Sequence, residues 1–349
     1  MKSLKNITLV VSLILVTISL WAKSPVFPVK RPDTKPHRII RTCCSFGVEM
    51  QLFAIPGVKL TEVTDIEQIG PHHYLGNSDE ENGIVYSRRG GFIDMGHLRD
   101  QSDWTAYLYT QLKENKSKGK IAMVIGREGG EKTLKVNLPP YLTNSDLTQL
   151  AGKIAYDLSV WHEIATWFGA STIPFVPERY SSFSIEDPYS NLLGVTIGIK
   201  AIQSELPYEE AMTTIIKETL RNLDVVSSEE ETILAMEAVR NIWWTRDKKL
   251  PSSKVLLQRQ LQVYPCLQPW LVPGWKSLNV EIPELKVPEY TSTGEPLNNF
   301  YRLEFNLNYK FPFRRIFPDR KERRITQNDF DRLLTQIAAE LKKKESKFR

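Results

Sequence analysis

Apolar residues recur along this chain at several distinct spacings, and the spacings predict its elements. From Leu147 to Phe168 they fall at helical intervals, with Thr143-Asn-Ser-Asp146 ahead of them to cap the N-terminus. Ile84-Val-Tyr86 reads as a strand and Arg88-Arg-Gly-Gly91 as a turn, after which Phe92 opens a helix to about Asn115. Lys120–Ile125 and Lys132–Asn137 read as the two arms of a hairpin about the turn Gly126–Gly130. Further helices are expected from Ser184-Ile-Glu-Asp187, a capping-box-like start, to Gln203, then from Pro207 to Leu223 and from Ser227 to Trp244. Tyr301 to Phe311 places apolar residues at odd positions and polar ones at even, the pattern of a half-buried strand. One such strand does not make an outer-membrane barrel, which needs about eight. A last helix, Gln327 to Lys344, gathers Phe330, Leu333, Leu334, Ile337 and Leu341 on one side. Short apolar runs between Cys43 and Val63 predict a strand or two, and Pro265 to Pro296 is largely irregular. The sum is an α+β fold: a multi-helix core with short β-hairpins and a C-terminal strand plus helix.

The Leu147–Phe168 helix carries the first candidate chemistry. At 100° per residue, Leu147, Leu150, Ile154, Leu158, Trp161 and Phe168 share one stripe. The opposite face holds Gly152, Ala155, Ser159, His162, Glu163 and Thr166, which are small or polar. An exposed face would carry Lys, Arg and Gln there. Small side chains beside His162 and Glu163 suit a cavity wall or a close backbone neighbour. Ionisable groups on an apolar helix are costly to bury unless they pair or bind something, and the chain has only five histidines.

Two other stretches supply partners. In Asp94-Met-Gly-His97-Leu-Arg-Asp100, His97 and Asp100 share a helix face, a spacing that suits a divalent metal or a base with its orienting carboxylate. Asp94 is placed to cap that helix, and Arg99 and Asp103 have the spacing of a surface ion pair. In Phe183–Gly194, Asp187 and Asn191 lie one turn apart and point the same way, with Gly194 and Gly198 allowing a second helix to come close. Asp187 is thereby a candidate to orient a histidine, or simply negative charge at a helix N-terminus. Gly70-Pro-His72-His73-Tyr74 adds a loop histidine. A zinc hydrolase needs about three protein ligands, an open position for water and a carboxylate base. His72, His97 and His162 as ligands, Glu163 as base, and Asp100 or Asp187 as orienting carboxylate meet that need. His162-Glu-Ile-Ala-Thr166 lacks the second histidine of the His-Glu-x-x-His zinc helix, so this is not a zinc protease of that kind.

Charge and composition set the context. Lys2 and Lys5 precede an apolar run from Ile7 to Leu20 and a small residue at Ala22, which reads as an export leader over residues 1–22. The run is shorter than the roughly twenty residues of a spanning helix. No second long apolar segment follows, so no transmembrane span is expected once the leader is removed. The protein is expected to be periplasmic or secreted. Residues 23–42 form a Pro-rich basic arm, and 43–349 a single domain with at most a weak boundary near 250. The net charge is +5, but the stretch from Lys310 onward carries 13 basic and 6 acidic residues. An acidic body with a basic tail is not the footprint of a nucleic-acid-binding domain. The tail offers peripheral contact with anionic lipid or an acidic polymer. Cys43, Cys44 and Cys266 are the only cysteines; export permits a disulfide from Cys266 to one of the vicinal pair, and no Cys-x-x-Cys spacing indicates a cysteine zinc site.

Together, Arg41–Gly47, Gly70–Tyr74, Arg89–Asp100, His162–Gly169 and Phe183–Gly194 resemble the exported bacterial family known as domain of unknown function 4056, over a span from about residue 38 to the C-terminal helix. The resemblance implies an exported bacterial protein and adds no catalytic assignment. The residues themselves leave three functions open. The first is a metal-assisted hydrolase of the cell envelope, with zinc or another divalent metal and an envelope component as substrate. The second is a Cys-His hydrolase or acyltransferase using Cys43 or Cys44 with His97 or His72. The third is a non-enzymatic envelope binding or structural protein. They differ in geometry: the metal reading requires His97 to stand beside His162.

Overall fold

The computed structural model describes residues 32–37, 40–41, 45–48, 50, 60–171, 178–250, 252–275 and 281–345. The leader, part of the arm, Cys43, Cys44 and most of the strand region expected after them lie outside that set. Cys266 is a free thiol.

The described chain opens with a hairpin of β1 (Ile84–Ser87) and β2 (Gly91–Asp94), and α1 (Met95–Glu114) follows directly. The helix therefore starts after Phe92, because Phe92-Ile93-Asp94 first pairs with Ile84-Val85-Tyr86. Asp94 then caps the helix by accepting from the His97 amide at 3.0 Å. The second hairpin, β3 (Lys120–Arg127) and β4 (Gly130–Asn137), leads into α2 (Asn144–Trp167). Thr143 and Asp146 form a reciprocal capping box at the start of α2, as the sequence predicts. Three more helices follow: α3 (Asp187–Gln203), α4 (Tyr208–Asn222) and α5 (Glu229–Ala238).

Two of these helices are shorter than their apolar patterns. α3 starts only at Asp187, because the Ser184 hydroxyl donates to the Glu186 carboxylate instead of capping. α5 stops at Ala238, where the chain turns through Asn241 at φ 63 and the Trp244 indole donates back to Met236 O at 2.9 Å. The Pro-rich stretch contains only the short pair β5 (Cys266–Leu267) and β6 (Leu285–Lys286).

β7 (Tyr301–Leu307), α6 (Phe313–Ile316), β8 (Arg324–Thr326) and α7 (Phe330–Glu345) complete the fold. β7 ends at Leu307 because the Asn308 side chain accepts from the amides of Lys310 and Phe311 and closes a turn. β7 and β8 extend the second hairpin into one antiparallel sheet, in the order β3-β4-β7-β8. Leu134, Leu303 and Phe305 on its inner face are buried, and Trp161 of α2 stacks on Phe305 at 4.1 Å.

A large apolar cluster joins α1, α2 and α3 to this sheet, and a smaller one joins Phe46, Tyr86, Phe92, Trp244 and Val272. Both clusters take residues from each side of position 250. No described helix is long and apolar enough to cross a membrane.

The packing of α3 against its neighbours positions the site. A Cβ on Gly194 would stand 2.1 Å from Leu98 O, so α1 and α3 touch backbone to backbone. A Cβ on Gly152 would stand 2.7 Å from Ile199, so the small face of α2 lies close against α3 as well. Side chains near the N-terminal end of α3 are thereby held against both α1 and α2.

Candidate metal centre

Where these three helices meet, α1 supplies His97 and α2 supplies His162 and Glu163. One ligand atom from each lies within 4.8 Å of the other two. His97 is also grouped in the same way with Asp94 and Asp187, the latter from α3. The convergence that the sequence reading required of His97 and His162 is present.

Each histidine is held by carboxylates. His162 Nδ1 lies 2.7 Å from Glu128 Oε1, and Lys132 Nζ donates to Glu128 Oε2 at 2.9 Å. Glu128 sits at the tip of the β3–β4 hairpin, beyond a register shift between Val124 and Gly126. The tip packs on α2, where the Trp161 indole donates to the Glu128 carbonyl at 3.1 Å. His97 Nδ1 lies 3.2 Å from Asp94 Oδ2 and 3.5 Å from Asp187 Oδ1. For His162 the carboxylate on Nδ1 fixes the tautomer that presents Nε2 as a ligand, the usual outer partner of a metal-bound histidine. Glu163 Oε2 accepts from the Phe183 amide at 2.5 Å, which fixes that carboxylate too. Ser159 stands one turn before His162, but its hydroxyl donates to Tyr156 O at 2.7 Å, so no serine nucleophile is set up.

The site is rich in buried acid. Asp94, Glu128, Glu163, Glu186 and Asp187 are all buried around it, against Lys132 and a half-buried Arg259. Burial pushes the Asp187 carboxyl well above its ordinary range, and nearby Glu186 and Glu163 add to the shift against the pull of His97. Burial raises Glu186 as well. An excess of desolvated carboxylates is what a bound cation would relieve. A cavity of about 30 Å³ adjoins the cluster, bounded by His97, His162, Asp100, Glu128, Lys132 and Asn191 among others. That holds one or two water-sized guests.

The structure does not bring His72 to this cluster. Its Nε2 lies 3.0 Å from Asp103 Oδ1 and its Nδ1 3.8 Å from Glu80. It belongs to a separate ionic network centred on Arg41, which is fully buried and donates to Glu80, Asp100 and Asp103 at 2.7–3.1 Å. Burial acts against the charge on Glu80, but Arg41 and Arg99 outweigh it and hold this carboxyl down at about 2. Asp100 lines the cavity, yet its carboxylate accepts from the Arg41 side chain and from the amides of Ile40 and Arg41. It therefore pins the N-terminal segment rather than orienting a histidine, and burial raises it to about 6. Arg99 and Asp103 are not a surface pair. Arg99 is buried and donates to the carbonyls of Ile69, Gly70 and Glu81, while Asp103 takes Arg41, His72 and the Leu75 amide. Asp187, in contrast, does face a histidine.

Glu128 and Lys132 are the members that sequence reasoning missed. They flank a glycine turn that reads as a solvated hairpin tip, and only the packing of that tip on α2 buries them. The Cys-His alternative depends on Cys43 and Cys44, outside the described residues.

The fold and site thus define an α+β protein with a histidine–carboxylate cluster at a three-helix junction. The chain belongs to the family described as Protein of unknown function (DUF4056), whose model matches residues 31–273. The match covers α1 to α5 and every residue of the cluster, and ends before β6 rather than reaching the C-terminal helix. No curated protein and no solved structure matches the chain.

Proposed function

We propose that this protein is an exported, metal-dependent hydrolase of the cell envelope, with one divalent cation such as zinc held by His97, His162 and Glu163. The convergence of those three side chains carries the reading. Two histidines and a glutamate with an open position form a known catalytic zinc set, and the cation would polarise a water or a substrate carbonyl at that position. Glu163 is better suited as a ligand than as the base, because one carboxylate oxygen is tied to the Phe183 amide and the side chain reaches both histidines. Glu128 orients His162, and Asp94 and Asp187 place their carboxylates beside His97 Nδ1. Export rests on the Lys2–Ala22 leader pattern.

Metal content decides the first step. Full-length protein incubated with zinc, manganese or cobalt and desalted is expected to retain about one equivalent by mass spectrometry. The His97→Ala/His162→Ala double variant is expected to retain none. Wild-type protein without stoichiometric metal sinks the proposal. Cell fractionation tests export: protein confined to the cytoplasm argues against an envelope role. A metal-restorable activity on isolated envelope material, abolished in the double variant, tests the reaction class.

A further inference from the structure

His97 belongs to two groupings of potential ligands that differ in donor chemistry. With His162 and Glu163 it offers two nitrogens and one oxygen; with Asp94 and Asp187 it offers one nitrogen and two oxygens, again within 4.8 Å of one another. The fold builds the second set as firmly as the first. Asp94 Oδ1 caps α1 by accepting from the His97 amide at 3.0 Å, which leaves Oδ2 at 3.2 Å from His97 Nδ1. The Asp94 amide donates to Ser190 Oγ at 3.0 Å, fastening the start of α1 to α3 one turn from Asp187. Asp187 Oδ1 reaches to 3.5 Å from the same histidine nitrogen. Asp187 is 4% exposed, and this oxygen makes no hydrogen bond among the described residues. Buried polar atoms are nearly always satisfied, so an oxygen aimed at the centre of the set calls for a partner there. Two carboxylates brought together in the interior, with Glu186 buried next in sequence, repel each other unless a cation joins them.

We infer that Asp94, His97 and Asp187 form a second cation position, suited to an oxygen-preferring divalent ion such as manganese, and that it is exclusive of the zinc position because both need His97. A neutral imidazole carries one lone pair, whichever nitrogen holds it, so His97 serves one cation at a time. Imidazole-rich sets suit zinc, and carboxylate-rich sets suit manganese, magnesium or calcium. Charge points the same way. The two carboxylates neutralise a divalent ion fully, whereas Glu163 alone leaves it positive. The inference goes beyond the zinc reading and shares only His97 with it.

The test titrates metal-free, full-length protein with manganese and then with zinc. The paramagnetic resonance signal of free manganese reports the first ion, and mass spectrometry the total. Wild type is expected to take up about one manganese and to release it as one equivalent of zinc binds. His162→Ala is expected to hold manganese within about threefold of wild type while its zinc affinity falls about 100-fold or more. Asp187→Asn is expected to lose more manganese affinity than zinc affinity. Should His162→Ala not fold, Glu163→Gln gives the same readout, because its amide oxygen can still accept from Phe183. Manganese and zinc affinity lost together in the folded His162→Ala protein would put every cation with His162 and overturn the inference, while leaving the zinc reading intact. Wild type that binds zinc but no manganese overturns it in the same way, and two metals held at once overturn the exclusion. Manganese uptake that survives in His162→Ala, with no zinc uptake by wild type, supports the inference and sinks the zinc reading.

Discussion

Replacing Gly194 by alanine tests the link between helix packing and the site. The new Cβ would lie 2.1 Å from Leu98 O, 2.8 Å from its carbonyl carbon and 2.9 Å from its Cα. All three are backbone atoms, so no rotamer change relieves the clash. α1 and α3 must part by about 1 Å to restore ordinary contact, against a core packed as densely as a crystal. Overpacking of this kind costs about 1–3 kcal/mol. The same movement carries Asp187 away from His97, whose Nδ1–Oδ1 distance is 3.5 Å. Loss of such an outer partner weakens metal binding about 10–100-fold. Urea unfolding reads the first effect, as a lower midpoint with an unchanged slope. Zinc titration against a competing chelator reads the second. A Gly194→Ala protein with wild-type urea midpoint and wild-type zinc affinity would refute the claim that this helix contact sets the site.

Three further outcomes follow from the buried charges. Arg41→Met strands Glu80, Asp100 and Asp103 without their shared cation and is expected to destabilise the fold by about 3–5 kcal/mol in urea; a loss under 1 kcal/mol contradicts the network's role. Glu128→Gln keeps the shape but removes the carboxylate from His162 Nδ1, so zinc affinity should fall about 10–100-fold with little change in thermal midpoint. The third outcome concerns pH. Burial raises Asp100 to about 6 and holds Glu186 and Asp187 above the usual carboxylate range, so each keeps its proton in the folded chain where the unfolded chain has lost it. Their stabilising contribution is complete below about pH 4 and is lost as pH rises towards 7. Glu80, held at about 2, acts in the opposite sense, and its contribution is lost only as pH falls from about 4.5 towards 2. The urea midpoint of metal-free protein is therefore expected to fall between about pH 4.5 and 7.5, and one equivalent of zinc to flatten that fall. A midpoint rising across this interval without metal would contradict the assignment.

The site was legible where a local pattern conflicts with its surroundings. His162 and Glu163 stand out because an apolar helix has no ordinary use for them, and Gly194 and Gly198 signal a close neighbour for α3. Asp94 and His97 are legible as a cap and the amide it binds. What one sequence does not carry is the pairing of buried groups distant along the chain. His72 and His97 are both buried beside carboxylates, and only the fold shows that one meets Asp103 and the other Asp94 and Asp187. Asp100 and Asp103 read as site and surface residues because Arg41, which gathers them, arrives from the N-terminal arm. Glu128 was hidden between glycines, since a hairpin tip is solvated unless another element covers it. The strand limits of β2 and β7 depended in the same way on pairing and turn hydrogen bonds outside the apolar alternation.

The central claim is a cation between α1 and α2. Anomalous diffraction at the zinc edge from crystals of zinc-loaded protein tests it most directly. A peak about 2.0–2.2 Å from His97, His162 and Glu163 is the expected result. A zinc-loaded crystal with these side chains in place and no peak between them, or with its zinc bound elsewhere, would contradict the account.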